Sequence, residues 1–99
     1  MYGPDPGELQ EILQEAVHAS ETLLDRLQIF CERGNAEAVN AAHELKGMSK
    51  TIGAEELGAL TEQAEELAQL GSWMELAELM EDLREAHERF AEAASNLRE

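Results

Sequence analysis

Apolar residues recur every three or four positions through most of the chain, and no proline interrupts them after position 6. This spacing places them on one face of an α-helix. Gly34, Gly53 and Gly71 divide the pattern into segments. Glycine commonly ends a helix because it readily adopts the left-handed conformation of the cap. The pattern therefore predicts four amphipathic helices, of which the outer two are longer than the inner two.

The connections between these segments are short, about two to four residues each, and such connections join antiparallel neighbours. The predicted fold is all-α, an antiparallel up-down four-helix bundle. A chain of 99 residues can bury one core of this kind. Residues 1–7, which contain Pro4, Pro6 and Gly7, are predicted to form a flexible leader, and residues 8–99 the single domain.

The formal net charge of −15 argues against nucleic acid and against an anionic membrane surface as partners. No stretch approaches the roughly 18 apolar residues of a membrane span. The first residues lack the features of a signal peptide. The single cysteine, Cys31, lies on an apolar stripe and is predicted to be core. Since it cannot form an internal disulfide, a cytoplasmic location is expected.

The cations of the second helix are concentrated around one histidine. The chain has two lysines, Lys46 and Lys50, which follow His43 by three and seven positions. At about 100° per residue, His43, Lys46, Gly47 and Lys50 share one stripe, opposite the apolar position Leu45. That stripe is predicted to face solvent. A neutral imidazole between ammonium groups is suited to accept a phosphoryl group, because one ring nitrogen attacks and the lysines stabilise the resulting anion.

Gly47 is unusual because glycine inside a helix costs about 1 kcal/mol relative to alanine. It lies one turn beyond His43, where its missing side chain leaves room for a large molecule to approach the ring. An outward apolar strip continues from His43 toward the start of the helix. The predicted partner-binding residues are Ala36, Val39, Asn40, Gly47 and Lys50.

The sequence contains no glycine-rich phosphate loop and no acidic cluster at metal-binding spacing. The three histidines lack the paired spacing of a metal site in a bundle. We therefore expect no metal and no cofactor, and no kinase activity of its own, whether or not the chain is counted as an enzyme. His18 lies among polar residues and is predicted to be solvated, whereas His87 interrupts an apolar stripe and is predicted to be packed.

The run from His43 to Ala54 resembles the signature of histidine phosphotransfer (HPt) domains. That signature is His-x-Leu-Lys-Gly, four residues, an aliphatic residue and Gly-Ala. Met48 departs from the small residue usual at its position. The resemblance implies that Nε2 of His43 carries the phosphoryl group and that Nδ1 bonds to a carboxylate or amide on the next helix. Glu65 matches that position, so the resemblance implies a catalytic set of His43, Lys46 and Glu65.

The function implied by the resemblance is that of a phosphorelay intermediate. His43 would accept a phosphoryl group from a receiver-domain aspartate and pass it to another. The implied partners are response-regulator receiver domains, a sensor histidine kinase, or both. Two alternatives remain: a kinase-substrate domain of a chemotaxis-type histidine kinase, since those domains also use a glutamate, and a non-catalytic helical interaction or scaffold bundle.

Overall fold

The structure is a computed structural model that describes residues 6–96. This part of the chain forms four α-helices and no strand: α1 Pro6–Arg33, α2 Glu37–Ile52, α3 Glu55–Leu70 and α4 Trp73–Asn96. Helix α1 packs against α2 and α4, and α3 packs against the same two helices. The predicted all-α up-down bundle is confirmed. As expected, the outer helices, of 28 and 24 residues, are longer than the inner two, of 16 residues each.

Glycine ends three of the helices in the way that the sequence predicts. Gly34, Gly53 and Gly71 have φ angles of 61°, 76° and 69°, in the left-handed region. At the end of α2, the N–H groups of Gly53 and Ala54 donate to the carbonyls of Lys50 and Ser49, which would otherwise lack partners. The turn between α2 and α3 therefore fixes how these two helices lie against each other.

The start of α1 differs from the prediction. The helix begins at Pro6, inside the segment 1–7 that was expected to be a leader. Proline is tolerated in the first turn because its missing N–H would have no helical partner there, and its fixed φ suits the helix. Residues 1–5 of the predicted leader and residues 97–99 of the predicted domain lie outside the described residues.

Leucines and alanines form the core. The largest buried apolar side chains come from all four helices: Leu24, Leu27, Leu45, Leu57, Leu76 and Leu83. Helix α2 contributes mostly small side chains, because Ala38, Ala41 and Ala42 are buried beside Leu45. Ser49 of α2 lies against Gly58 of α3, and small residues let helix axes approach closely, so polar side chains on the flanks of α2 and α3 can meet.

The predicted environments of Cys31 and the two other histidines are confirmed. Cys31 is buried, and burial raises the pKa of its thiol. His18 is exposed, whereas His87 is buried, with Nε2 2.7 Å from the Ser20 hydroxyl oxygen. The contact between His87 and Ser20 ties α4 to α1. The Ser20 hydroxyl itself donates to the carbonyl of Val17 within α1. The surroundings of His87 are therefore those of a packed residue between α4 and α1.

Two glycine substitutions are expected to change stability in opposite directions. Gly71→Ala should lower the free energy of unfolding by about 1 kcal/mol, because alanine is strained at positive φ. Gly47→Ala should raise it by up to about 1 kcal/mol, since Gly47 is helical and no heavy atom lies within 4 Å of an added Cβ. Urea denaturation followed by circular dichroism measures both. Destabilisation by Gly47→Ala would contradict the open surroundings of that position.

Candidate functional site

His43 projects from the solvent-facing side of α2. The opposite side of this helix is held in the core by Ala38, Ala42 and Leu45, so the helix cannot rotate without exposing apolar surface. The His43 side chain is 67% exposed. A large partner can therefore reach the imidazole, in agreement with the outward direction that the sequence predicts.

Glu65 on α3 holds one edge of the imidazole. Its Oε2 lies 2.9 Å from Nδ1 of His43. The Glu65 side chain is only 13% exposed, because it stands on the flank of α3 that faces α2. The carboxylate accepts a hydrogen bond from Nδ1–H, and this bond selects the tautomer whose Nε2 is unprotonated. Nε2 then carries a free lone pair on the exposed side of the ring.

Lys46 binds the other oxygen of the same carboxylate. Its Nζ donates to Oε1 of Glu65 over 2.6 Å, and its side chain is 20% exposed. The hydrogen bond from Lys46 lowers the pKa of Glu65, although burial opposes this, and the bond from His43 lowers it further. The same contact raises the pKa of Lys46. Lys46 is thus paired with Glu65. The sequence interpretation instead places Lys46, like Lys50, beside the imidazole to stabilise the phosphoryl anion.

Lys50 and Gly47 remain open to a partner. Lys50 is exposed, and its ammonium makes no ion pair with any described residue. Gly47 is exposed, with no heavy atom within 4 Å of the position of an added Cβ. Met48, which departs from the usual pattern, is partly buried and packs against the core, so it leaves the outward face unchanged.

The other predicted contact residues lie at the beginning of α2. Ala36 is exposed at the N-cap, and Asn40 is exposed with its amide donating to Glu37 over 3.0 Å. Val39 differs from the prediction of an exposed apolar side chain, because it is partly buried and packs against the core. A position on the border between the two faces of a helix is covered when the neighbouring helix lies close. Val39 therefore offers only part of its surface.

Residues 6–96 contain no group of three or more His, Cys, Asp or Glu side chains that could hold a metal ion. None of the helices in this range is long and apolar enough to cross a membrane. The described site brings together one oriented imidazole, a carboxylate and an ammonium.

A family model for the Hpt domain matches residues 10–93. The chain belongs to the Hpt domain family. Searches of the curated proteins and of the solved structures returned no match. Hpt domains perform histidine phosphotransfer in phosphorelays, and they interact with response regulators and histidine kinases of two-component systems. The matched range includes His43, Lys46 and Glu65, which the structure brings together on adjacent helices.

Two features of the site are absent from the sequence interpretation. One is the ion pair between Lys46 and Glu65, since helical spacing does not say which residues of two different helices meet. The other is a cavity beside the turn between α2 and α3, where Gly58 and Ala59 are among the lining residues. Gly58, a second glycine inside a helix, is the sequence feature that could have indicated this cavity. In the same way, Gly47 indicates the open surface beside His43.

Glu65→Ala is expected to increase the fraction of His43 protonated at Nε2, because the acceptor for Nδ1–H is removed. Phosphorylation should slow by roughly 10- to 100-fold, as for other partners that orient a histidine. Lys46→Ala should shift the tautomer in the same direction by a smaller amount, and Lys46→Arg should restore it. Long-range proton–nitrogen correlation NMR of the imidazole measures the tautomer.

Glu56→Ala is the matched control, because Glu56 forms an ion pair with Arg89 between α3 and α4 and does not touch His43. It should leave the His43 tautomer unchanged. An identical tautomer in the wild-type chain and in Glu65→Ala would show that Glu65 does not orient the ring.

Proposed function

We propose that this Hpt domain is a phosphorelay intermediate that carries a phosphoryl group on Nε2 of His43. Nε2 attacks the phosphorus of an aspartyl phosphate on a receiver domain. The N–P bond forms as the bond between phosphorus and the aspartate oxygen breaks, and the aspartate leaves as a carboxylate. The reverse reaction with a second receiver returns His43 to the neutral imidazole.

The observation that carries the proposal is the bond between Nδ1 of His43 and Glu65, together with the exposure of the ring. A histidine oriented by a carboxylate has one predetermined nucleophilic nitrogen. After phosphorylation at Nε2, Nδ1 keeps its proton and its hydrogen bond to the carboxylate. The same contact thus serves the free and the phosphorylated states of His43.

Lys46 and Lys50 have different parts in the proposal. Lys46 acts on His43 through Glu65, by keeping the carboxylate ionised and aimed at Nδ1. Lys50 lies two turns beyond His43 and forms no ion pair with the described residues, so its ammonium supplies positive charge at the surface that meets the partner. In a chain with a net charge of −15, such a local charge favours approach in the productive orientation.

Phosphoryl transfer from an aspartate or from a nucleotide needs neutralisation of the transferring group. In the proposed function the partner domain supplies the divalent cation and any nucleotide. A second candidate function is that of a substrate domain for a separate histidine kinase. The carboxylate at Glu65, rather than an amide, favours keeping this candidate, since the chemotaxis-type domains that the sequence resembles use a glutamate.

Incubation with phosphorylated receiver domains tests the proposal. The wild-type chain is expected to acquire acid-labile, alkali-stable phosphate from at least one receiver of a panel, without ATP. His43→Gln should fold but acquire none, because it lacks the nucleophile. His18→Gln is the matched control, since His18 is exposed and remote from the site, and it should react at the wild-type rate.

The alternatives give different results in this assay. Phosphate from ATP and a kinase domain, with none from any receiver, would support the kinase-substrate function. Phosphorylation of His43→Gln at the wild-type rate would contradict His43 as the acceptor. A chain that reacts with neither donor, nor with phosphoramidate, would be the non-catalytic bundle.

Gly47→Gln separates docking from chemistry. Receiver-dependent phosphorylation should fall steeply, because the new side chain stands where the receiver must approach His43. Phosphoramidate needs no such clearance and should still react at a substantial rate. The measured quantity is the ratio of the two rates. Loss of both activities with an intact fold would mean that the introduced side chain disturbs the imidazole itself, and unchanged receiver transfer would mean that glycine is not needed for docking.

A further inference from the structure

At one end of the bundle, α1 and α4 extend beyond the inner helices. The connections from α1 to α2 and from α3 to α4 are short, so each inner helix is level with its longer neighbour at that connection. The 28 residues of α1 exceed the 16 of α2 by 12, which is about 18 Å of helix. The 24 residues of α4 exceed the 16 of α3 by 8, which is about 12 Å. We call the projecting part, residues 7–16 and 90–96, the arm.

The two helices of the arm pack on each other. Nε2 of His87 lies 3.2 Å from the carbonyl oxygen of Val17, so these two residues are level in the antiparallel pair. Ala94, seven residues further along α4, is therefore level with the arm of α1, and it is buried. At the base of the arm, Arg89 forms an ion pair with Glu56 in the first turn of α3. The arm is thus an ordered helix pair that continues the bundle.

The apolar stripe of α1 continues into the arm but loses its cover there. Leu9 and Leu27 are five full helical turns apart and so face the same way, yet Leu27 is buried and Leu9 is 42% exposed. Ile12 faces nearly the same way as the buried Leu23, and it is 52% exposed. Single exposed apolar residues are ordinary, but Leu9 and Ile12 are neighbours on one helix face. The core-facing side of α1 is therefore open in the arm.

The charges beside this open side are negative. Residues 1–25 contain no lysine and no arginine. Glu11 and Glu15 are exposed next to Ile12. Arg89, at the base of the arm, is already paired with Glu56. A second copy of the chain would bring the same carboxylates together, and this repulsion disfavours it as the occupant, whereas a cationic partner is attracted.

We propose that the arm binds an amphipathic helix of another protein that has lysine or arginine along the edges of its apolar face. The helix would extend the packing of the inner pair, with its apolar face on Leu9 and Ile12 and its cations beside Glu11 and Glu15. An apolar helix face laid in a groove is a common mode of peptide recognition. This inference goes beyond the phosphorelay function and does not depend on it.

The arm is separate from the surface around His43. His43 lies nine residues before the end of α2, and Ile12 lies beyond that end, so the two are about 20 Å apart along the bundle. A typical interface covers about 800 Å² on each partner, a patch of about 16 Å radius. A partner centred on His43 therefore leaves the middle of the arm uncovered, and the chain can hold both partners at once.

A designed peptide of about 16 residues, roughly 24 Å as a helix, tests the proposal. It carries leucine at every third or fourth position and lysine between, and fluorescence anisotropy measures its Kd. The wild-type chain should bind it, less tightly as salt is raised. Ile12→Gln should raise Kd by about tenfold, the loss of one central apolar contact. Because Ile12 is exposed, the fold should persist, which circular dichroism checks.

Ile29→Gln is the matched control, because Ile29 is a similarly exposed isoleucine of α1 that also lies near acidic side chains, and it should bind like the wild-type chain. His43→Gln should also bind normally. Equal losses in Ile12→Gln and Ile29→Gln, or none in either, would overturn the proposal, because the peptide would then recognise net charge alone. No binding by the wild-type chain would overturn it too. Dimerisation that Ile12→Gln abolishes, measured by sedimentation equilibrium, would replace the basic helix with a second copy.

Discussion

The carboxylate of Glu65, held between His43 and Lys46, is the contact on which the site depends. It joins α2 to α3 at the level of His43, with one oxygen bonded to His43 and the other to Lys46. A carboxylate that is mostly covered by its neighbours is poorly solvated, but the hydrogen bond from the Lys46 ammonium compensates and lowers the pKa of Glu65. The orientation of the imidazole thus requires a correct register between two helices, and the rest of the bundle maintains that register.

The features that set this register are visible in the inner pair of helices. Ser49 on α2 and Gly58 on α3 let these helices approach closely, and the left-handed Gly53 turns the chain within two residues. The outer helices cover the other sides of α2 and α3, and leucines from all of them share one core. His43 therefore stands on a rigid element, while its own side chain is exposed. Such an arrangement suits a protein that must present the same atom to successive partners.

The sequence predicts the parts of this structure that depend on one helix at a time. The 3–4 spacing and the terminal glycines predict where the helices end. Because the apolar Leu45 must face the core, His43 on the opposite side of the helix is predicted to face solvent. Contacts between helices are different, because spacing gives an angle around one axis but no distance to another. For this reason the sequence does not predict the Lys46–Glu65 pair. Val39, at the border of the outward face, is for the same reason more buried than its position suggested.

The paired charges also determine the pH range over which the site is organised. Because the folded pKa of Glu65 is depressed, its contribution is complete above the ordinary carboxyl value and is lost only as the pH falls through the lowered one. Because the pKa of Lys46 is raised, its contribution is complete below the ordinary amine value and is lost as the pH rises through the raised one. Between these limits the carboxylate stays charged and paired. The carboxylate that accepts from Nδ1–H of His43 thus stays ionised across this range, and in the proposed function Nε2 is the atom that bonds the phosphoryl group.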